Sequence, residues 1–226
     1  MMPDYIPAPV SRTQRPWDAR LARWLVMPLA ASRVTPNHLT TLRLTVGLAG
    51  AAAFTPGSYG SSNIAALLVI LSNFLDHTDG ELARLSGKTS RIGHIYDLAS
   101  DAAVTILLFV AMGVGVGTSA DNPLGLPPPV LGAVAGAAVA LIFYLRMRIE
   151  EMGGKAASRQ ASLGGFETED VLYLLPLVTL TNCVMPYLIA ASIGAPLFAA
   201  WVVIDYRRAV RRLKPMASPT SGAGLI

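Results

Sequence analysis

Charge is scarce in this chain. Asp, Glu, Lys and Arg make up 14% of its 226 residues, aromatic residues 7%, and there is a single cysteine. One thiol, Cys183, excludes an intramolecular disulfide framework and most thiolate metal sites. So little charge beside 53% hydrophobic content and a mean hydropathy of +0.49 does not suit an ordinary soluble domain and points to several membrane spans. The formal charge of +4 is not joined to any legible aromatic-basic surface, so nucleic acid is not an expected partner. The N-terminus lacks the basic start and apolar core of a signal peptide. With Pro3, Pro7 and Pro9 it reads as an extended, uncleaved tail.

The apolar segments give an all-α integral membrane protein of six transmembrane helices, preceded by an N-terminal amphipathic interfacial helix. In residues 16–27, Trp17, Leu21, Trp24 and Leu25 share one helical face while Asp18, Arg20 and Arg23 lie off it. Residues 1–34 are thus a tail plus interfacial helix, residues 35–214 the membrane domain and residues 215–226 a loose tail. The first span, 35–54, opens on Thr35 as cap and Pro36 at the first helical position. It carries Arg43, which either snorkels to the interface or faces a polar cavity. Further spans are expected at 63–84, 92–117 and 130–149, with a turn at 55–62 and a four-proline loop at 121–129. Gly132-x3-Gly136 serves equally for close packing within one chain or for a homodimer seam. After a polar loop at 150–170, residues 171–206 hold two more spans that meet near 182–186. Six spans leave all eighteen Lys and Arg residues on one side of the membrane or within reach of it, and only Asp121 in the opposite loops. By the positive-inside rule both termini and the loop after the second span are cytoplasmic.

Residues 76–101 read DHTDGELARLSGKTSRIGHIYDLASD. Asp76, Asp79, Gly80 and Ala83 follow i, i+3, i+4, i+7 on one helix face, and Asp97 and Asp101 at i, i+4 share a face of the next helix. Ser86, Gly87, Lys88, Thr89 and Ser90 form a turn between them. Counted outward from that turn, the four aspartates lie within roughly two helical turns of one another. Acids at the edge of hydrocarbon are rare and usually functional, and four together need positive charge between them. No Cys or His stands at ligand spacing, so the donors are hard oxygens that suit Mg²⁺ or Mn²⁺. Two such ions balance four carboxylates and clamp a phosphate, which is phosphoryl-transfer equipment. Gly80 and Ala83 leave room on the metal face, or pack against the next span. Arg84 is placed for a phosphate, and Gly93 lets the third span start close to one or is a plain turn glycine. His38 and His77 read as interfacial polar residues, and His94 is within reach of a bound phosphate.

Asp76-x2-Asp79-Gly80-x2-Ala83-Arg84-x8-Gly93-x3-Asp97-x3-Asp101 resembles the signature of the CDP-alcohol phosphotransferases, membrane enzymes of phospholipid head-group synthesis. Eight fixed identities arise by chance with a frequency on the order of 10⁻⁸ in a chain of this length. The resemblance implies a CDP-linked donor, most simply CDP-diacylglycerol, an alcohol acceptor and release of CMP. It also implies that Asp76, Asp79, Asp97 and Asp101 hold two divalent cations, Mg²⁺ or Mn²⁺, and that Asp101 is the general base. Spacing alone does not choose among the four. The setting it implies is the bacterial inner membrane, with the active site facing the cytoplasm. For the acceptor, Arg146, Arg148, Lys155, Arg159 and Arg207 are available, although anchoring to anionic lipid accounts for each of them singly. Competing readings are transfer of phosphocholine or phosphoethanolamine to diacylglycerol, a metal-dependent lipid-diphosphate hydrolase, and a cation transporter with the acids as its ion site.

Overall fold

The structure, a computed structural model, describes residues 17–88, 90–117, 122–153 and 172–213. Its helices are α1 (Trp17–Val26), followed by a 3-10 turn (Met27–Leu29), α2 (Pro36–Phe54), α3 (Tyr59–Ser86), α4 (Arg91–Val116), α5 (Pro128–Gly153), α6 (Leu175–Leu180) and α7 (Val184–Leu213). There is no strand among the described residues. Most of the expected tails, Asp121, Lys155, Arg159 and nearly all of the 150–170 loop lie outside them.

Local chemistry sets the helix limits. Ser58 caps α3, its side chain accepting from the Ser61 N–H at 3.2 Å, so this helix starts at Tyr59, four residues before the expected Asn63. It ends at Gly87, whose left-handed φ of 66° a side chain would resist. Ser90 then caps α4 by accepting from the Gly93 N–H at 2.9 Å. Lys88 at the turn donates to the Ser32 carbonyl at 3.0 Å and ties the hairpin to the segment after α1. The helix α5 begins at Pro128, inside the expected proline loop, because a first turn tolerates proline that a helix interior does not. Between α6 and α7 the chain breaks at Thr181–Cys183, where Asn182 is left-handed with φ 55°. The break lies at the edge of the 182–186 stretch where the sequence expects two spans to meet, but α6 is only six residues long, a rise of about 9 Å, and is not by itself a span.

Three helices are long and apolar enough to cross a membrane, over Ile92–Val116, Pro128–Ile149 and Val184–Arg211. The others, α2 and α3, have 19 and 28 residues but carry Arg43, histidines and acids along part of their length. The core is built where α2, α3, α4, α5 and α7 meet, around Phe54, Val69, Leu108, Met112, Leu131 and Leu188, all at most 2% exposed. Glycine permits two of these contacts. A Cβ on Gly47 would lie 2.7 Å from Val104 Cγ1 and 2.8 Å from Ser72 Oγ, so α2 sits deep in the groove between α3 and α4. A Cβ on Gly132 would strike the Phe109 carbonyl, and one on Gly136 would lie 2.8 Å from Ile106 Cα. The Gly132-x3-Gly136 motif is thus used within the chain, joining α5 to α4, and offers nothing to a homodimer seam.

Replacing Gly132 by Ala is expected to destabilise the fold by about 1–3 kcal/mol, the usual cost of overpacking. Scanning fluorimetry of the detergent-solubilised protein should show a lowered midpoint. An unchanged one would contradict this α4–α5 seam.

Candidate metal and phosphate site

Gly47 lies one helical turn beyond Arg43, so the close approach of α2 carries Arg43 into the space between the two acidic helices. The carbonyl of Arg43 accepts from Ser72 Oγ at 3.0 Å, which pins α2 to α3 at this level. The Arg43 side chain is 5% exposed, and its guanidinium is ringed by acids. Nη1 donates to Asp76 Oδ1 at 2.6 Å and also to Asp101 Oδ1. Nη2 donates to Asp97 Oδ1 at 2.9 Å and to the Asp97 carbonyl at 3.2 Å. Of the two destinations the sequence allows for Arg43, the polar cavity is the one it takes.

Three of the four expected ligands converge. Oxygens of Asp76, Asp97 and Asp101 lie within 4.8 Å of one another, and these side chains are 32%, 36% and 40% exposed, open enough for an ion to reach them. Asp79 stands behind this group and is buried; its Oδ2 accepts from Thr40 Oγ1 at 2.8 Å and lies 4.0 Å from Arg43 Nε, which makes no hydrogen bond. The donor set fits a hard divalent ion. Around Mg²⁺ at about 2.0–2.1 Å, opposed oxygens stand about 4.2 Å apart and adjacent ones about 3 Å, so the three carboxylates would draw together to take an ion directly or hold it through water.

A cavity of about 190 Å³ opens beside the acids and is lined by Asp76, His77, Asp79, Gly80, Glu81, Arg84 and Asp97. Nothing lies within 4 Å of where a Gly80 Cβ would stand, so the missing side chain is open space on the cavity wall. Ala83 is half-buried on the same helix. Gly93 does not line the cavity and is not a turn glycine. It lies inside α4, where a Cβ would sit 2.7 Å from Asn37 Oδ1, so its absence seats the start of α2 against α4. Arg84 reaches the cavity with a side chain 62% exposed, its Nη1 2.5 Å from Glu81 Oε1.

Glu81, Thr40 and His77 were not singled out as site residues by sequence. Glu81 is 1% exposed and also accepts from Arg23 Nη1 of α1 at 3.5 Å, so it links the first helix to the cavity wall. A trace of this is legible in the i, i+3 spacing of Glu81 and Arg84; the Arg23 contact, between residues 58 apart, leaves none. His94 does not face the cavity. Its Nε2 lies 3.0 Å from Glu151 Oε1 at the end of α5, and Arg148 Nη1 donates to Glu151 Oε2 at 2.6 Å. Desolvation pushes the Glu151 carboxyl up, but hydrogen bonds from Arg148 and His94 outweigh it and hold the group below the usual carboxylate range. The His94–Glu151 contact therefore joins α4 to α5, and Arg148, on the same helix as Glu151, holds that carboxylate in place. Arg146 stacks over the Phe198 ring, its guanidinium carbon 5.5 Å from the centroid.

The sequence profile of the CDP-alcohol phosphatidyltransferase family matches residues 33–206, a stretch that holds every residue of the acidic cluster and omits α1. The chain is 30% identical over 193 residues to the bifunctional IPC transferase and DIPP synthase of Rubrobacter xylanophilus, covering 74% of this chain and 42% of that protein. It therefore spans less than half the length of this curated relative. Two crystal structures of the phosphatidylinositol phosphate synthase PgsA1 of Mycobacterium tuberculosis share the fold. The one with CDP-DAG bound superposes with a TM-score of 0.54 at 21% identity, covering 93% of this chain and 98% of that one. The one with manganese and citrate gives 0.54 at 22%, covering 92% and 93%.

Thr40→Val should remove a buried hydrogen bond to a carboxylate, worth about 1.5–3 kcal/mol, and lower the unfolding midpoint, whereas Thr40→Ser should retain it. Equal midpoints for the two variants would mean that Thr40 does not hold Asp79.

Proposed function

This chain belongs to the CDP-alcohol phosphatidyltransferase family, and on that premise we propose that it is an integral-membrane transferase using CDP-diacylglycerol. It passes the phosphatidyl group to the hydroxyl of a water-soluble alcohol and releases CMP. The observation that carries the reading is the meeting of Asp76, Asp97 and Asp101 from two antiparallel helices around the Arg43 guanidinium, beside a cavity walled by Gly80 and Arg84. The CDP-DAG bound to PgsA1 supports the choice of donor.

Asp76, Asp79, Asp97 and Asp101 are the proposed holders of two Mg²⁺ or Mn²⁺ ions. When bound, the ions supply Lewis-acid charge to the diphosphate oxygens of the donor. Arg84, half free of the helix surface, grips a donor phosphate from the cavity rim. The acceptor hydroxyl attacks the phosphorus that bears diacylglycerol. A new P–O bond forms as the bond to the CMP oxygen breaks, and the hydroxyl proton passes to the Asp101 carboxylate. At 40% exposure that carboxylate is open enough to meet an incoming hydroxyl.

The proposed setting is six crossings, formed by α2, α3, α4, α5, a fifth crossing of which α6 supplies only about 9 Å, and α7, with α1 lying in the interface. Ile64, Leu67 and Leu71 recur at i, i+3, i+7 on the outside of α3 and are 59%, 63% and 45% exposed, which supports lipid contact along a helix whose other face holds the acids. On α1, Ala22 and Val26 are fully buried while Leu21, Trp24 and Leu25 are exposed, as suits a helix wedged between protein and headgroups. The location of the basic residues supports a cytoplasmic site, and the bacterial relatives support the inner membrane of a bacterium as its setting.

Purified protein given CDP-diacylglycerol, Mg²⁺ and a panel of glycerol phosphate, serine, inositol and inositol phosphate should release CMP with one acceptor and form the matching ester. Free phosphatidic acid and CMP with no ester would mean hydrolysis instead. Asp97→Asn and Asp101→Asn should each abolish CMP release, with the protein still folded by size-exclusion chromatography. Undiminished release by either would refute the assigned chemistry.

A further inference from the structure

Arg43 is the residue that the reaction proposed above leaves without a part, although it makes more contacts with the carboxylates than any other group. Its side chain is 5% exposed and is held at its base by α2 packing at Gly47 and by the Ser72 hydrogen bond. Its two terminal nitrogens donate to Asp76, Asp97 and Asp101, the same three residues whose oxygens fit a divalent ion. The guanidinium stands among the oxygens that an ion would draw together, and its positive charge opposes every cation that enters there. Charge balance points the same way. A single positive charge against four carboxylates leaves an excess of three negative charges in a half-buried place, and two divalent ions would turn that excess into one positive charge.

We propose that Arg43 is a built-in counter-ion that keeps Asp76, Asp97 and Asp101 gathered before metal arrives and gives up their oxygens as the ions enter. It is a positioning residue, and the inference rests on the metal-dependent reading above. Its sign reversal sets an order: the ions come first, and only then does the site attract the anionic diphosphate of the donor. The energetic role is also divided. Arg43 stabilises the metal-free protein, while its charge weakens every ion that follows.

The test uses the full chain purified in detergent, with Mn²⁺ alone as ligand, followed by isothermal titration calorimetry and scanning fluorimetry. Arg43→Gln should lower the unfolding midpoint without metal, bind Mn²⁺ tighter by about tenfold or more, and regain the native midpoint when Mn²⁺ saturates. Arg43→Lys, which keeps the charge, should bind Mn²⁺ to within about threefold of the native protein. If Arg43→Gln folds only when purified with Mn²⁺ and unfolds on chelation while the native chain does not, the proposal stands. If it fails to fold even with Mn²⁺, or binds the ion no tighter than the native chain, the proposal falls. Native protein that takes up no Mn²⁺ would instead overturn the functional reading on which it rests.

Discussion

Like charges crowd together in a protein only if opposite charge is brought among them, and here that requirement reaches through the whole bundle. The acids of α3 and α4 face one another across a hairpin whose turn is fixed by Gly87 and Ser90. The charge that joins them comes from a third helix, which must lie close enough for a side chain of ordinary length to reach. Gly47 provides that closeness, and Ser72 holds it. Packing and electrostatics are therefore one constraint: widen the α2 groove and the carboxylates lose their partner, remove the partner and the groove has a repulsive floor.

Behind the acids, α4, α5 and α7 form a scaffold of a different kind. Their contacts are apolar and close, with Leu108, Met112, Leu131, Ile142 and Val202 almost wholly buried. At its end nearest the cavity the scaffold is tied by a polar contact, His94 of α4 meeting Glu151 of α5, which Arg148 also holds. The division suits an enzyme with two surroundings. Apolar packing holds wherever lipid is the solvent, while hydrogen-bonded and ionic contacts gather at the end where water enters.

What could be read in the sequence was what depends on near neighbours. The shared helix faces of Asp76 with Asp79 and of Asp97 with Asp101, the Gly87 turn and the helix break near Asn182 are each settled within a few residues, whereas the retreat of Asp79 behind the other three depends on Thr40, 39 residues away. Helix starts were read late at Tyr59 and Pro128, because a serine cap and a tolerated first-turn proline look like loop until the helix is seen. What depends on distant partners was less legible. Arg43 had two destinations because nothing in α2 tells which of its faces meets α3. Gly93 could not be matched to Asn37, 56 residues earlier, nor Glu81 to Arg23. The Gly132 and Gly136 pair was ambiguous between self and neighbour for the same reason: a smooth helix face does not name what lies against it.

The length of α4 has one more implication. Back from its far end at Val116, Asp101 is fifteen residues away and Asp97 nineteen, or about 22 and 28 Å of helix. The oily layer of a bilayer is about 30 Å thick. In the membrane setting proposed above, such a helix works as a dipstick, setting the carboxylates at the waterline of one leaflet. The proposed CDP-linked lipid, floating at its natural height, would then present its phosphates at that level, with its tails never leaving the oil and its sugar and base already wet.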